Sequence, residues 1–199
     1  MAVVDADDIV AFDEAASAPD ETETATFALG CFWGPDVEFG THEGVVRTRV
    51  GYAGGTHEDP TYHDLGDHSE AIQVDYDLDV VTFADLVDVA VANHDPRRQP
   101  RKRQYQSVLF HETDAERAAI EARLDEIPVD VETRIERLEA FYPAESYHQK
   151  YNLRNDRALL SAFEDAGYDD ADVRESPAAA RLNAAVAGKD VREIASVQR

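Results

Sequence analysis

Thr24-Ala25-Thr26-Phe27-Ala28-Leu29-Gly30-Cys31-Phe32-Trp33-Gly34 decides both the fold and the chemistry of this chain. Its first six residues are apolar or small and read as a buried strand. Gly30 breaks the strand. Trp33 to Phe39 predicts a short helix, with Pro35 tolerated in its first turn. Cys31 therefore falls between a strand end and a helix start, where unpaired N–H groups and the helix dipole favour a thiolate. Such a setting can lower a cysteine pKa from ~8.5 to roughly 3.5–7.5. Cys31 is the only cysteine, so it cannot close an internal disulfide. Two readings stand: a reactive thiol, or a small buried hydrophobe, as most free cysteines are.

Working outward, residues 1–23 hold eight acids and no Lys or Arg. They read as an acidic, mobile tail with at most a transient helix near Ile9 to Ala16. Beyond the cysteine, Val45 to Tyr52 reads as a strand and Ala53 to His68 as a Gly/His/Asp-rich loop. Ala71 to Tyr76 alternates, with Ile72, Val74 and Tyr76 on one face. Thr82 caps a helix to about Asn93 whose buried stripe is Phe83, Leu86, Val87 and Ala90. Tyr105 to Phe110 reads as a strand. Thr113-Asp114-Ala115-Glu116 is a capping box opening a helix to about Asp125. Val131 to Leu138 reads as a strand, and 141–154 as aromatic-rich and irregular. Asp156 to Ala166 and Ala178 to Ala187 read as helices separated by a turn from Gly167 to Pro177. The order β-α-β-β-α-β-α-β, then helices, predicts an α+β fold with a mostly antiparallel sheet covered by helices on one face. At 199 residues one domain is expected, with a tail at 1–23, a core at 24–155 and a helical C-terminal extension at 156–199.

The 42 acidic residues outweigh 19 basic ones, a net charge of −23, and only Lys102, Lys150 and Lys189 are lysines. Such a surface repels nucleic acid and anionic membrane. The acids are spread along the whole chain, which favours adaptation to a very salty cytoplasm over one partner-binding patch. No apolar run approaches the ~20 residues of a membrane span, and the acidic N-terminus has no signal-peptide pattern. One cysteine fits a reducing cytoplasm. Met1 and Cys31 are the only sulfur residues, which suits a protein working among oxidants.

The remaining motifs form a set. Gly30-Cys31-Phe32-Trp33-Gly34 is followed by Gly51-Tyr52-Ala53-Gly54-Gly55, Pro60-Thr61-Tyr62, His68-Ser69-Glu70-Ala71, Asn93-His94-Asp95-Pro96, Gln104-Tyr105-Gln106-Ser107 and Phe141-Tyr142-Pro143-Ala144-Glu145-Ser146-Tyr147-His148-Gln149. In this order, over about residues 25–152, the set resembles the A-type peptide methionine sulfoxide reductases. The resemblance implies a two-layer α+β sandwich related to the ferredoxin-like arrangement. It also implies thiol-dependent reduction of the S-epimer of methionine sulfoxide, free or in proteins. Cys31 would attack the sulfoxide sulfur as a thiolate. Glu70 would protonate the departing oxygen, which calls for burial and a raised pKa. Tyr62 and Tyr105 would hydrogen-bond that oxygen, and Phe32 and Trp33 would receive the S-methyl. Read without the resemblance, Glu70 is one more solvated acid, Tyr62 and Tyr105 are ordinary packing, and Phe32 is core.

The attack would leave a sulfenic acid on Cys31. Many family members resolve it with a second cysteine, and this sequence has none. The resemblance then implies an external thiol: a thioredoxin, a glutaredoxin or a small thiol. No bound cofactor and no metal are expected, and a monomer is. His57, His63 and His68 share a loop but lack the paired spacing of zinc sites. His94 and His148 lie inside the quoted motifs and read as hydrogen bonders that are structural or sit just behind the site. Two competing functions remain: a redox sensor or sulfoxide-binding module without turnover, and a reductase of another small methyl sulfoxide. The chain departs from the family between Arg97 and Arg103, where a shorter, basic segment puts Pro100 in place of an aspartate. That segment reads either as a rim attracting carboxylates or as a solvated loop paired with the protein's own acids.

Overall fold

The computed structural model describes residues 4–191. The first three and last eight residues of the expected tail and extension lie outside the described residues. Strand β1 (Glu23–Leu29) ends at Gly30, whose φ of +90° is open to glycine and turns the chain sharply into α2 (Trp33–Phe39). Strands β2 (Val45–Ala53) and β3 (Ser69–Tyr76) follow, then α3 (Phe83–Ala92), β4 (Ser107–His111), α4 (Asp114–Asp125), β5 (Arg134–Arg137) and β6 (Phe141–Pro143). Reciprocal capping boxes open α3 at Thr82/Asp85 and α4 at Thr113/Glu116.

The sheet order is β5-β4-β1-β3-β2-β6. Its inner four strands and the helices between them form the expected β-α-β-β-α-β unit, and all their pairings are antiparallel. Only β4–β5 runs parallel among the described strands. Strand alternation sends Phe27, Leu29, Val50, Tyr52, Ile72, Val74 and Leu109 to one face, under α2, α3 and α4. The other face is lined by Ala28, Ala53, Ala71, Val108 and Phe110, closed by Leu138 and Phe141.

The extension contributes α6 (Arg157–Asp165), α7 (Asp170–Glu175) and α8 (Pro177–Val186), preceded by the short α5 (Tyr151–Arg154). Helix α7 replaces part of the expected Gly167-to-Pro177 turn. Asp169 caps it and shares a capping box with Asp172. Helix α8 packs against α2 and β2.

The N-terminal segment corrects the tail reading. Residues Ala6–Ala15 form a helix, α1, with Asp5 and Asp8 as its capping box. Ile9 is completely buried with Leu153, Leu159, Phe163 and Leu182. Asp13 accepts hydrogen bonds from the Tyr168 hydroxyl at 2.9 Å and the Ala178 N–H at 2.7 Å. Charge density suggested a solvated tail; the apolar stripe of Ile9 and Phe12 instead completes the core of the C-terminal helices. Ile9→Val is therefore expected to cost about 0.5–1.5 kcal/mol in urea unfolding, where a mobile tail would show no change.

Candidate active site

Cys31 and Glu70 meet because of strand geometry. Phe27 stands opposite Ile72 in the β1–β3 pairing, so the end of β1 reaches the start of β3. Glu70 shares the face of Ile72, Val74 and Tyr76, and so points under the N-terminal end of α2. It is 2% exposed. Its carboxylate accepts from the Phe32 N–H at 3.1 Å and from Gln104 Nε2 at 2.5 Å. Burial pushes the Glu70 pKa up, against the lowering pull of Gln104, the Phe32 N–H and the Lys102 charge.

The thiol departs from the sequence expectation. Cys31 is exposed as a residue, yet the protein wall beside its sulfur pushes its pKa up. The Trp33 N–H lowers it and the Glu70 charge raises it further. A seven-residue helix offers one useful N–H, which does not outweigh lost hydration and a nearby carboxylate. A protonated Glu70 removes that repulsion, so the proton state of one group governs the other.

Tyr62 and Tyr105 come together from separate segments. Tyr105 feels the charge of Glu70 first, then the neighbouring Tyr62 side chain and Cys31. Burial first, then these neighbours, raise the Tyr105 pKa, so it stays a neutral donor. Tyr105 is not in a strand, as expected, but in a 3-10 turn, Arg103–Tyr105, just before β4. There its ring escapes the sheet and faces the site.

Phe32 is 1% exposed, while Trp33 is half-buried. Trp33 stacks on Tyr151 with centroids 3.9 Å apart. Phe32 lies 6.1 Å from Tyr52 and 5.3 Å from His148. A cleft of about 530 Å³ opens beside Cys31, Trp33, Pro35, Asn93 and Tyr151.

The family model of the peptide methionine sulfoxide reductases matches residues 23–176. The chain belongs to this family. A peptide methionine sulfoxide reductase of Drosophila melanogaster is 44% identical over 146 residues, covering 70% of this chain and 59% of that protein. This chain thus spans less than two thirds of that relative's length. MsrA of Methanothermobacter thermautotrophicus is 45% identical over 150 residues, covering 68% of this chain and 89% of its own. The structure of methionine sulfoxide reductase A of Corynebacterium diphtheriae superposes with a TM-score of 0.62 at 31% identity, covering 70% of this chain and 77% of that one. The MsrA relatives agree with the A type that the motif set implied.

Several supporting residues are not singled out by sequence alone. Glu145 accepts from the Tyr52 hydroxyl at 2.7 Å and the Tyr62 N–H at 2.9 Å, fixing the Tyr62 loop to β2. Burial alone would raise the Glu145 pKa; these donors hold it below the usual range. Gln104 orients Glu70. Both residues lie in quoted motifs, and a carboxylate or amide between aromatic residues was the available signal.

The histidines divide. His68 accepts from the Gly55 N–H at 3.1 Å and reaches the His57 carbonyl at 2.8 Å, so both ring nitrogens close the loop. His94 bonds the Ala90 carbonyl and Thr133 hydroxyl, as a structural histidine. His148 corrects its reading: it is buried against Phe32, Trp33, Tyr62 and Tyr147, with neither ring nitrogen hydrogen-bonded among the described residues. Burial pushes its pKa down.

Proposed function

We propose that this protein reduces the S-epimer of methionine sulfoxide, free or in proteins, to methionine. The observation that carries the reading is Glu70, a buried carboxyl with a raised pKa placed beside the lone thiol. The Cys31 sulfur bonds to the sulfoxide sulfur; the S–O bond and this new S–S bond then break as the oxygen passes to the Cys31 sulfur and the thioether leaves. The departing oxygen takes a proton from Glu70 while Tyr62 and Tyr105 stabilise its growing negative charge. In balance, Cys31 thiol plus sulfoxide gives Cys31 sulfenic acid plus thioether, and Glu70 recovers the thiol's proton. Phe32 and Trp33 hold the S-methyl by sulfur–aromatic contact.

An external thiol then condenses with the sulfenic acid, releasing water and leaving a mixed disulfide. A second thiol displaces Cys31 and carries away the disulfide. The absence of a second cysteine in this sequence supports the external route. A reducing cytoplasm would supply such thiols.

The test is turnover of S- and R-methionine sulfoxide with dithiothreitol in molar salt, for wild type and Cys31→Ser. Without reductant, one round should yield about one methionine per chain and a dimedone-reactive Cys31. With reductant, S-selective turnover absent from Cys31→Ser is expected. Folded wild type that turns over neither epimer, or a Cys31→Ser variant as active as wild type, would overturn the proposal.

A further inference from the structure

Five of the nineteen basic residues fall in the seven positions 97–103. The structure sorts them. Arg97 pairs with Asp95 at 2.8 Å. Arg103 turns inward and donates to the Gly54 and Asp67 carbonyls at 2.7 and 2.9 Å. Arg98, Arg101 and Lys102 are exposed, and their charged heads make no hydrogen bond or ion pair among the described residues. The Lys102 ammonium stands 5.1 Å from the centroid of the Tyr105 ring, placing this free cationic group at the rim of the site.

The loop is held in place. Gln99 accepts from the Ser107 N–H at 2.8 Å and donates to the Ser107 and Glu132 carbonyls at 2.6 and 2.9 Å. Gln106 donates to the Pro100 carbonyl at 3.1 Å. These bonds pin both ends of the run to β4 and to the segment before β5. With 42 acids available elsewhere, three exposed cations without an ion pair in one pinned loop, Lys102 of them beside Tyr105, are a local reversal of the protein's charge.

We propose that Arg98, Arg101 and Lys102 form a rim that selects carboxylate-bearing sulfoxides. The carboxylate is either the α-carboxylate of free methionine sulfoxide or an Asp or Glu neighbouring an oxidised methionine in a protein. The inference rests on the reductase reading and adds its substrate class. In molar salt the Debye length is about 3 Å, so long-range steering is screened and contact pairing remains. The preference should therefore appear in KM more than in kcat.

N-acetylmethionine S-sulfoxide and its carboxamide differ only in that charge. A second pair, sulfoxide peptides flanked by Glu or by Gln, separates the two carboxylate sources. Each pair is compared in wild type and in Arg98→Gln/Arg101→Gln/Lys102→Gln. The acid-to-neutral ratio of kcat/KM should fall about fivefold in the variant, through KM, for at least one pair. A fall confined to the first pair assigns the rim to free amino acid, and one confined to the peptides assigns it to acidic protein segments. Ratios unchanged in both pairs, or acid and neutral substrates losing alike, would overturn the rim and leave the reductase standing. Wild type that turns over none of the four would overturn the reductase reading and the rim with it.

Discussion

Glu70→Gln is expected to lower turnover of methionine S-sulfoxide by about 10²–10⁴-fold, the usual contribution of a positioned acid, while speeding alkylation of Cys31. The two effects have opposite signs because Glu70 does two things. As an acid it supplies the proton that makes the sulfoxide oxygen a leaving group. As an anion it raises the Cys31 pKa. Glutamine keeps an acceptor for the Phe32 N–H, so the local backbone retains its bond. Above the Glu70 pKa, where wild type carries the charge, its removal lowers the Cys31 pKa and more thiolate reacts with iodoacetamide at the same pH. A better nucleophile with less turnover would separate proton donation from thiol activation.

The pH dependence follows from the raised Glu70 pKa. Wild-type turnover should fall as pH rises through that pKa, because the donor loses its proton; the glutamine variant lacks this limb. Stability runs the same way. The unfolded carboxyl ionises first, at about 4.3, so below that pH both states are protonated and burial carries no charge penalty. Above the folded pKa the buried charge weighs against the native state. Glu70→Gln should thus be at least as stable as wild type at neutral pH, so its lost turnover cannot be assigned to unfolding. A variant keeping more than a tenth of wild-type turnover would remove Glu70 as the donor.

The parts of this site legible in the sequence are those fixed by short-range rules. The strand, the Gly30 break and the start of α2 bracket Cys31 within a dozen residues. The alternation of Ile72, Val74 and Tyr76 also fixes the face of Glu70 two residues earlier. Strand propensity puts Tyr105 in a strand, since Tyr is a good strand former and β4 begins two residues later; the Arg103–Tyr105 turn is set instead by Gln104 reaching Glu70 and by Ser69 donating to the Arg103 carbonyl. The acids of α1 suggest a solvated tail, although Asp5 and Asp8 have the spacing of a cap. What holds it is burial of Ile9 against residues more than 140 positions away, which no local pattern displays. The direction of the Cys31 pKa differs from the sequence expectation for a related reason. The helix start was visible, but the desolvating wall and the Glu70 charge come from the fold.

Lys150→Met is expected to destabilise the protein by about 3–5 kcal/mol, the cost of leaving a buried charge without its partner. Lys150 is fully buried and sits at a φ of +51°, in the left-handed region. Its ammonium donates to the Thr48 carbonyl at 2.5 Å and hydroxyl at 2.8 Å, and reaches Asp36 at 3.4 Å. Burial pushes its pKa down while Asp36 pulls it back. Asp36 in turn accepts from the Thr48 hydroxyl at 2.6 Å and from Asn183 at 3.0 Å. The cluster joins α2, which starts two residues after Cys31, to β2, α5 and α8. A stability of 5–15 kcal/mol is typical of a domain, so the single change would take a large share of it. Asp36→Asn keeps the shape and removes the charge that Lys150 answers. If the penalty comes from an unanswered charge, the double variant Lys150→Met/Asp36→Asn should be less destabilised in urea than the sum of the singles, by more than about 1 kcal/mol. Additive losses would instead mean that Lys150 acts through Thr48 and its own packing, and that α8 is held to α2 by Asn183 without help from the ion pair.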